Sequence, residues 1–549
     1  MAAKQSDERW DDEADVVVVG FGGAGAAAAI EAADQGAEVL VLERFSGGGA
    51  TRKSGGVMYC GGGTELQQKA GYEDTPENML AYLKAEAGDA VSEEVLRAFC
   101  EQSVENHEWV RGHGVDYTFG FEPLKTFYPA DDVALYYSGN EPCPPFSELA
   151  VKAARGHRAV GKGLTGKQFF EPLRKAAEQR GVKISYYTRC LDLIRDDDGA
   201  VIGVEVSQVR FFLWRWMIWL CVLFASTLGA MSGIFLSLYS WQLRLFEALG
   251  RRRRVRARGG VVLSTGGFIF NRKMVREFIP HATKAMRLGT VADDGKGIEL
   301  GRAAGGALRK MERSAIWLFY APPRAFLQGI FMSRQGQRIC CEEYYGATLA
   351  MHMVQDHNAE GILLVDRSIR NRARAGLWAL RSALVQFIFG TIHLYFNRTK
   401  AGSLDKLARK CRVPPEAMRA AVERYNAGVA AGKDEMGKDP ELLASLETGP
   451  YYAVNCNVAN WRFFMPAISL GGLETDTMTA RVTDGDGRPI PGLYAAGRTA
   501  VGVCSHSYLT GLAIADCIFS GRNAGRHAAA QAKEAAQAQG ASKDAEPDA

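Results

Sequence analysis

The sequence predicts an α/β fold built on a Rossmann-like dinucleotide-binding domain. Three observations point there. A β-branched strand runs straight into a glycine-rich turn near the N-terminus, a second strand-to-glycine turn recurs near the C-terminus, and helix patterns such as Leu404–Tyr425 fill the stretch between. The chain has 549 residues, 47% hydrophobic and 23% charged, enough for a large core in roughly two or three domains. Its 61 glycines against 18 prolines suit tight backbone approaches rather than disorder.

The first element is Asp15–Gly20 (DVVVVG), a run that reads as a buried parallel strand. It opens into the GxGxxG formed by Gly20, Gly22, Gly23, Ala24 and Gly25, then an Ala-rich helix pattern, then a second strand, Glu38–Glu43, with Arg44 next. The glycines permit a tight turn and let backbone approach a pyrophosphate, while the new helix presents free N–H groups and a positive dipole end. Glu43 stands where a carboxylate accepts hydrogen bonds from a ribose. A lone GxGxxG is weak evidence; the whole strand–turn–helix–strand–acid series is specific.

Three further segments favour FAD as the dinucleotide. Gly48, Gly49, Ala50 and Thr51, followed by Ser54, Gly55 and Gly56, form a second glycine-rich loop that continues along a pyrophosphate toward a flavin. Val261–Gly267 is a strand ending in Thr265, Gly266 and Gly267. Leu493–Arg498 is a strand ending at Gly497 and Arg498, and it precedes a helix that starts near Thr510, Gly511, Leu512 and Ala513. A helix N-terminus aimed at the flavin would stabilise negative charge on the reduced ring.

Composition excludes several classes. A net charge of +4 is too mild to imply nucleic acid. The 11 cysteines include no CxxC pair and no Cys/His cluster of zinc-ligand spacing, so reduced, buried thiols and no metal are expected. The N-terminus is polar and acidic without an apolar signal-peptide core, so a cytoplasmic location is expected.

On the segments SGGVMYCGGGT (54–64), GQRICCEEYYGA (336–347), GPYYAV (449–454), LYAAGRTAVGVCS (493–505) and SYLTGLAIADCIFSGRNAGR (507–526), the chain resembles the FAD-dependent fumarate reductase/succinate dehydrogenase flavoprotein superfamily. Within it the chain is most similar to the 3-ketosteroid dehydrogenases, the Δ4-(5α) group above all. The resemblance implies a split FAD-binding domain, 14–310 and 455–526, and a catalytic cap domain over 311–454. Residues 1–13 and 527–549 are left as flexible ends. Non-covalent FAD is implied too, since no histidine occupies the 50–56 loop. The implied reaction desaturates a 3-ketosteroid at C4–C5: a hydride leaves C5 for the flavin and a proton leaves C4 for a hydroxyl relay. The matching relay positions are Tyr508, Thr510 in place of a serine, and a cap tyrosine, Tyr345 or its neighbour Tyr344. Alternatives are Δ1-desaturation, a fumarate-type reduction, or, in another class, a membrane-bound flavin electron carrier or sterol-binding module. The electron acceptor stays open, with a quinone as one candidate.

Two apolar insertions interrupt this pattern. Residues 210–246 carry no charge from Trp216 to Leu243, flanked by Arg210, Arg215 and the basic run Arg251–Arg254, Arg256 and Arg258. The flanking strands of related flavoproteins lie in one domain, so a single membrane crossing is excluded. A hairpin breaking within 227–233, with arms of about 15 residues (roughly 22 Å), is expected to lie in one leaflet, its arginines on anionic headgroups. The second insertion, 376–396, is expected to be one in-plane amphipathic helix. Packing of both insertions against each other or a second subunit is the alternative. A steroid substrate, lipid contacts and peripheral or monotopic attachment to the cytoplasmic membrane follow, with no nucleic-acid partner.

Overall fold

The computed structural model describes residues 9–544 except Phe119, Phe127, Pro322, Ala383 and Phe464. Residues 1–8 and 545–549, parts of the ends expected to be flexible, lie outside the described residues. The largest sheet joins both halves of the chain. Its parallel core runs Pro489–Ala495, Arg251–Leu263, Asp12–Val19, Val39–Glu43 and Lys183–Tyr186 in spatial order. Val16, Val17 and Val18 are fully buried on this sheet, as a β-branched run covered on both faces should be. The helix Gly23–Asp34 packs on one face, and against it lies the long C-terminal helix Leu512–Asp544. Small residues make that approach possible: a Cβ on Gly521 or Gly525 would fall 2.5 or 2.2 Å from a carbonyl oxygen of the first helix.

Both chain ends extend this architecture further than expected. The first strand begins at Asp12, inside the segment expected to be flexible. The last helix continues past Arg526, with Ala528, Ala529 and Ala532 buried because Gly259 lets the helix lie directly on the sheet. A second, four-stranded sheet is made by Ile330–Met332, Ile362–Val365, Tyr451–Asn455 and Arg398–Ala401, all antiparallel.

The apolar insertion is a helical hairpin planted between two paired strands. Val201–Gln208 and Arg251–Leu263 are antiparallel, with Gln208 opposite Arg251, so the feet of the hairpin sit side by side. Its arms are helices Phe212–Met231 and Gly233–Ala248, of 20 and 16 residues, joined by Ser232 alone. The expected break was broader and the arms shorter. Gly229 explains the tight turn, since a Cβ there would lie 3.0 Å from Leu236 Cα. The first arm is therefore about 30 Å long, comparable with a bilayer's hydrocarbon core, and is long and apolar enough to cross a membrane.

The hairpin also docks on its own protein. Glu247 takes Arg44 Nε at 2.6 Å and Arg189 at 2.8 Å, Arg287 donates to the carbonyls of Gly229 and Ala230, and Arg272 donates to Gly233 O and Ser237 Oγ. The basic run expected on headgroups is largely engaged: Arg251 with Asp11, Arg252 with Glu205, Arg253 with Asp12, and Arg258 with Glu13, Asp15 and Glu38. The acidic N-terminal segment is its partner. Residues 376–396 are not one helix either. They divide into a 3₁₀ turn (Trp378–Ser382), a helix (Leu384–Thr391) and a π turn (Ile392–Phe396). His393 accounts for the wide turn: it is buried, its Nε2 lies 2.8 Å from Phe319 O and its Nδ1 3.2 Å from Asn397 Nδ2.

Candidate active site

The glycine turn after the first strand is built for close backbone approach. Gly20 has φ +100, and a Cβ there would lie 2.6 Å from Ser264 O; a Cβ on Gly25 would lie 2.0 Å from Gly20 O. Both serve packing of the turn. Gly22 is different, because nothing stands within 3.9 Å of its missing Cβ, and it precedes a helix with no side-chain cap. Open space before a helix end that its own first residue leaves uncapped fits a pyrophosphate. Gly23 N donates to Thr51 Oγ1 at 3.1 Å, and Ala24 is buried in the helix behind. Glu43, at the end of the second strand, accepts from the backbone N–H of Phe21 and Phe45 at 2.8 and 2.7 Å. Burial pushes its carboxyl up despite those bonds. Arg44, expected to hold cofactor, has its guanidinium committed to Glu247 and Asp294.

The second glycine loop folds back on the first. Gly48 N donates to Phe21 O at 2.7 Å, and a Cβ on Gly49 would have nothing closer than 3.8 Å. Ala50 starts the 3₁₀ turn Thr51–Lys53; Ser54 Oγ donates to Thr51 O, and Gly56 N to Ser54 Oγ. Gly55 O accepts from Thr165 and Tyr128. From the other strands, Thr265 and Gly266 N meet Thr499 Oγ1, Gly267 N donates to Asp293, and Arg498 pairs with that same Asp293. Among the described residues Arg498 Nη1 is buried without a partner, a donor suited to an anionic or carbonyl group. Gly497 N donates to Ser520. Gly511 has φ +94 and lies against Tyr59 N, while Leu512 and Ala513 begin the C-terminal helix.

The hydroxyl constellation forms where these segments meet. Tyr345 OH lies 2.5 Å from Thr510 Oγ1, joining positions 165 residues apart. Tyr344 points elsewhere, donating to Pro144 O at 3.1 Å. Of the two alternatives, only Tyr345 meets Thr510. Tyr508 packs edge-on against Trp317, ring centroids 4.8 Å apart. Burial pushes Tyr345 up, countered in part by hydrogen bonds to Thr510 and Trp317; burial also pushes Tyr508 up, reinforced by Tyr345. Tyr345 N donates to Asn140 Oδ1 at 2.6 Å, and Asn140 Nδ2 donates to Glu86 Oε1 and Thr348 Oγ1. Burial raises Glu86 as well.

Sequence reasoning missed Trp317, Asn140, Glu86 and Tyr136. Among the described residues the buried Tyr136 hydroxyl has no hydrogen-bond partner, and burial pushes it up, reinforced by Tyr345 and Tyr508. No local pattern marks any of these four; only the fold brings them to the pair. Glu342, by contrast, is an anchor outside the pair, bonding Arg338, Lys438 and Phe331 N.

A helix N-terminus behind a glycine turn with open space before it, closed by a second glycine turn and helix from the far end of the chain, defines a dinucleotide-binding α/β protein. The chain belongs to the FAD binding domain family, whose model matches residues 15–511, and FAD is its cofactor. It is 35% identical over 511 residues to the 3-oxo-5-alpha-steroid 4-dehydrogenase of Comamonas testosteroni, covering 89% of this chain and 93% of that protein. The fumarate reductase (cytochrome) of Shewanella frigidimarina is 27% identical, covering 95% and 78%. The crystal structure of 3-ketosteroid-Δ4-(5α)-dehydrogenase from Rhodococcus jostii, in complex with 4-androstene-3,17-dione, superposes with a TM-score of 0.80 at 33% identity over 96% of this chain and 99% of that one.

Proposed function

We propose that the protein is an FAD-dependent 3-ketosteroid dehydrogenase that introduces the C4–C5 double bond into a 5α-3-ketosteroid at a membrane surface. The observation that carries this reading is the Tyr345–Thr510 hydroxyl pair, set beside Tyr508 at the start of the flavin helix. FAD, when bound, supplies the two-electron oxidation by taking the hydride from C5. This chain's residues do the rest. Residues 14–310 and 455–526 hold the cofactor without a covalent bond, through the backbone of Gly22, Gly49 and Gly511 and the guanidinium of Arg498. Residues 311–454 cap the site and bring Tyr345 to it. The substrate ketone acidifies the C4 proton, and the Thr510–Tyr345 pair with Tyr508 removes it, so that no carboxylate is needed. Threonine keeps the hydroxyl of a serine but adds a methyl and stiffens χ1, which fixes the direction in which Oγ1 points.

The hairpin is the membrane contact. Phe212, Trp216, Trp219, Ile234 and Trp241 are exposed along it, an apolar face with tryptophans suited to the interface. Its side-by-side feet keep both helices on one side of the protein, so it inserts from the cytoplasmic face without carrying the enzyme across. A quinone in the same bilayer would then be within reach as electron acceptor. Product analysis tests the reaction. Incubation of the holoenzyme with a saturated 5α-3-ketosteroid and an excess of an artificial electron acceptor that reoxidises the flavin should yield an enone whose double bond NMR locates at C4–C5. A C1–C2 double bond would assign the other regiochemistry, and a recovered saturated ketone would refute the activity.

A further inference from the structure

Trp317 follows the strand Ser314–Ile316 and is held there by its own backbone, with its N–H donating to Pro466 O at 2.9 Å. Its side chain does two things at once. The indole Nε1–H donates to Tyr345 OH at 2.6 Å, and the ring packs edge-on against Tyr508. Both Trp317 and Tyr345 are buried, so this contact is shielded from competing water.

An indole N–H can only donate. One lone pair of the Tyr345 oxygen is therefore always occupied, and the proton between Tyr345 and Thr510 is confined to the line joining those two oxygens. If Tyr345 gives up its proton, its oxygen is left accepting from both Trp317 and Thr510. Two short donors in a buried site favour a negative oxygen over a neutral one. Among the described residues Thr510 receives no second donor of this kind; its backbone N–H is spent on Ser138 O.

We infer that Trp317 is a positioning residue that, through its single N–H, makes Tyr345 the proton-releasing member of the Tyr345–Thr510 pair. The inference rests on the reaction proposed above and concerns which hydroxyl carries the negative charge before C4 gives up its proton; Thr510 Oγ1 then takes that proton as its own passes to Tyr345, leaving both hydroxyls neutral. No atom of Trp317 is transferred: the proton leaves C4 for the relay, the hydride leaves C5, and the indole N–H bond stays intact throughout.

The test is Trp317→Phe in the FAD-loaded enzyme, with anaerobic reduction by a saturated 5α-3-ketosteroid followed across pH. Phenylalanine keeps a ring edge against Tyr508 and removes only the donor. The rate should rise with pH as the relay loses its proton. In the variant that rise should move about one pH unit upward, a loss of about tenfold at any pH on the slope, with steroid affinity within about twofold of wild type. Replacing Trp317 by 3-benzothienylalanine, which is isosteric but lacks the N–H, should give the same displacement and covers the case in which the phenylalanine variant folds poorly. An unmoved pH profile in a folded, FAD-loaded variant overturns the inference, and so does a loss confined to steroid affinity. Tyr345→Phe separates the two levels. If it reduces as fast as wild type, the proposed role of Tyr345 is wrong; if it is slow while both Trp317 variants are not, only the role of Trp317 is wrong.

Discussion

The hairpin makes a quantitative claim about lipid binding. Ile234 is 80% exposed and Trp241 64% exposed, both on the second helix of the pair. Full burial of a large apolar side chain is worth about 1.5–3 kcal/mol. Inserting the exposed fractions of these two therefore gains roughly 2–4 kcal/mol, a factor on the order of 100 in partitioning at 1.4 kcal/mol per decade. The double variant Ile234→Glu, Trp241→Glu should lose at least that much. Its folding should hardly change, because exposed substitutions cost within about 0.5 kcal/mol. Co-sedimentation of purified holoenzyme with neutral phosphatidylcholine vesicles reads this directly. Because Arg251, Arg252, Arg253 and Arg258 of the cluster are paired with acidic residues, adding anionic lipid should strengthen wild-type binding by less than about tenfold. Unpaired, the same arginines would each add about 1 kcal/mol near an anionic surface. Wild-type protein that stays in the supernatant, or a double variant that sediments equally, would refute the docking face, and a steep dependence on anionic lipid would refute the pairing of the arginines.

Other predictions concern the two halves of the site. Gly22→Ala should fold as wild type, since its Cβ meets nothing within 3.9 Å, yet weaken FAD binding at least about tenfold by equilibrium titration; Gly25→Ala, 2.0 Å from a carbonyl oxygen, should unfold the turn itself. Thr510→Val should slow reduction on the order of 100-fold, the lower range for a lost acid/base group, and Thr510→Ser should retain most of it in stopped-flow traces. Burial pushes the Asp516 carboxyl up to about 6 from its ordinary 3.8, against hydrogen bonds from Val503 N and the Cys504 thiol. The native state thus keeps a proton that the unfolded chain releases above about pH 4. That proton stabilises the fold at low pH, and its contribution is lost as pH rises through 6. Relative to Asp516→Asn, wild type should lose about 2.5 kcal/mol of stability between pH 4 and pH 7, measured by urea unfolding.

What was legible in the sequence was what depends on neighbours in the chain. Gly20, Gly22 and Gly25 could be read because a turn demands them within six positions, and the strands around them because β-branched runs declare themselves. The hairpin was legible as an uncharged run, though not its one-residue turn, which Gly229 and Leu236 set by packing. Partnerships across the chain were not legible. Arg253 looked like a lipid contact because Asp12, its partner, stands 241 residues earlier. The segment 376–396 looked like one helix because nothing local reveals that His393 must reach Phe319 O. Tyr345 and Thr510 were found through resemblance, whereas Trp317 was not found at all, since its importance exists only once Tyr345 OH lies 2.6 Å away.

The central claim is that a saturated 3-ketosteroid gives a hydride from C5 to the flavin while hydroxyls of this chain take the C4 proton. Anaerobic mixing of the FAD-loaded enzyme with a saturated 5α-3-ketosteroid tests it most directly. The flavin absorbance should bleach in a single turnover, and deuterium at C5 should slow that bleaching. A flavin that keeps its oxidised spectrum with every saturated 3-ketosteroid offered would contradict the account.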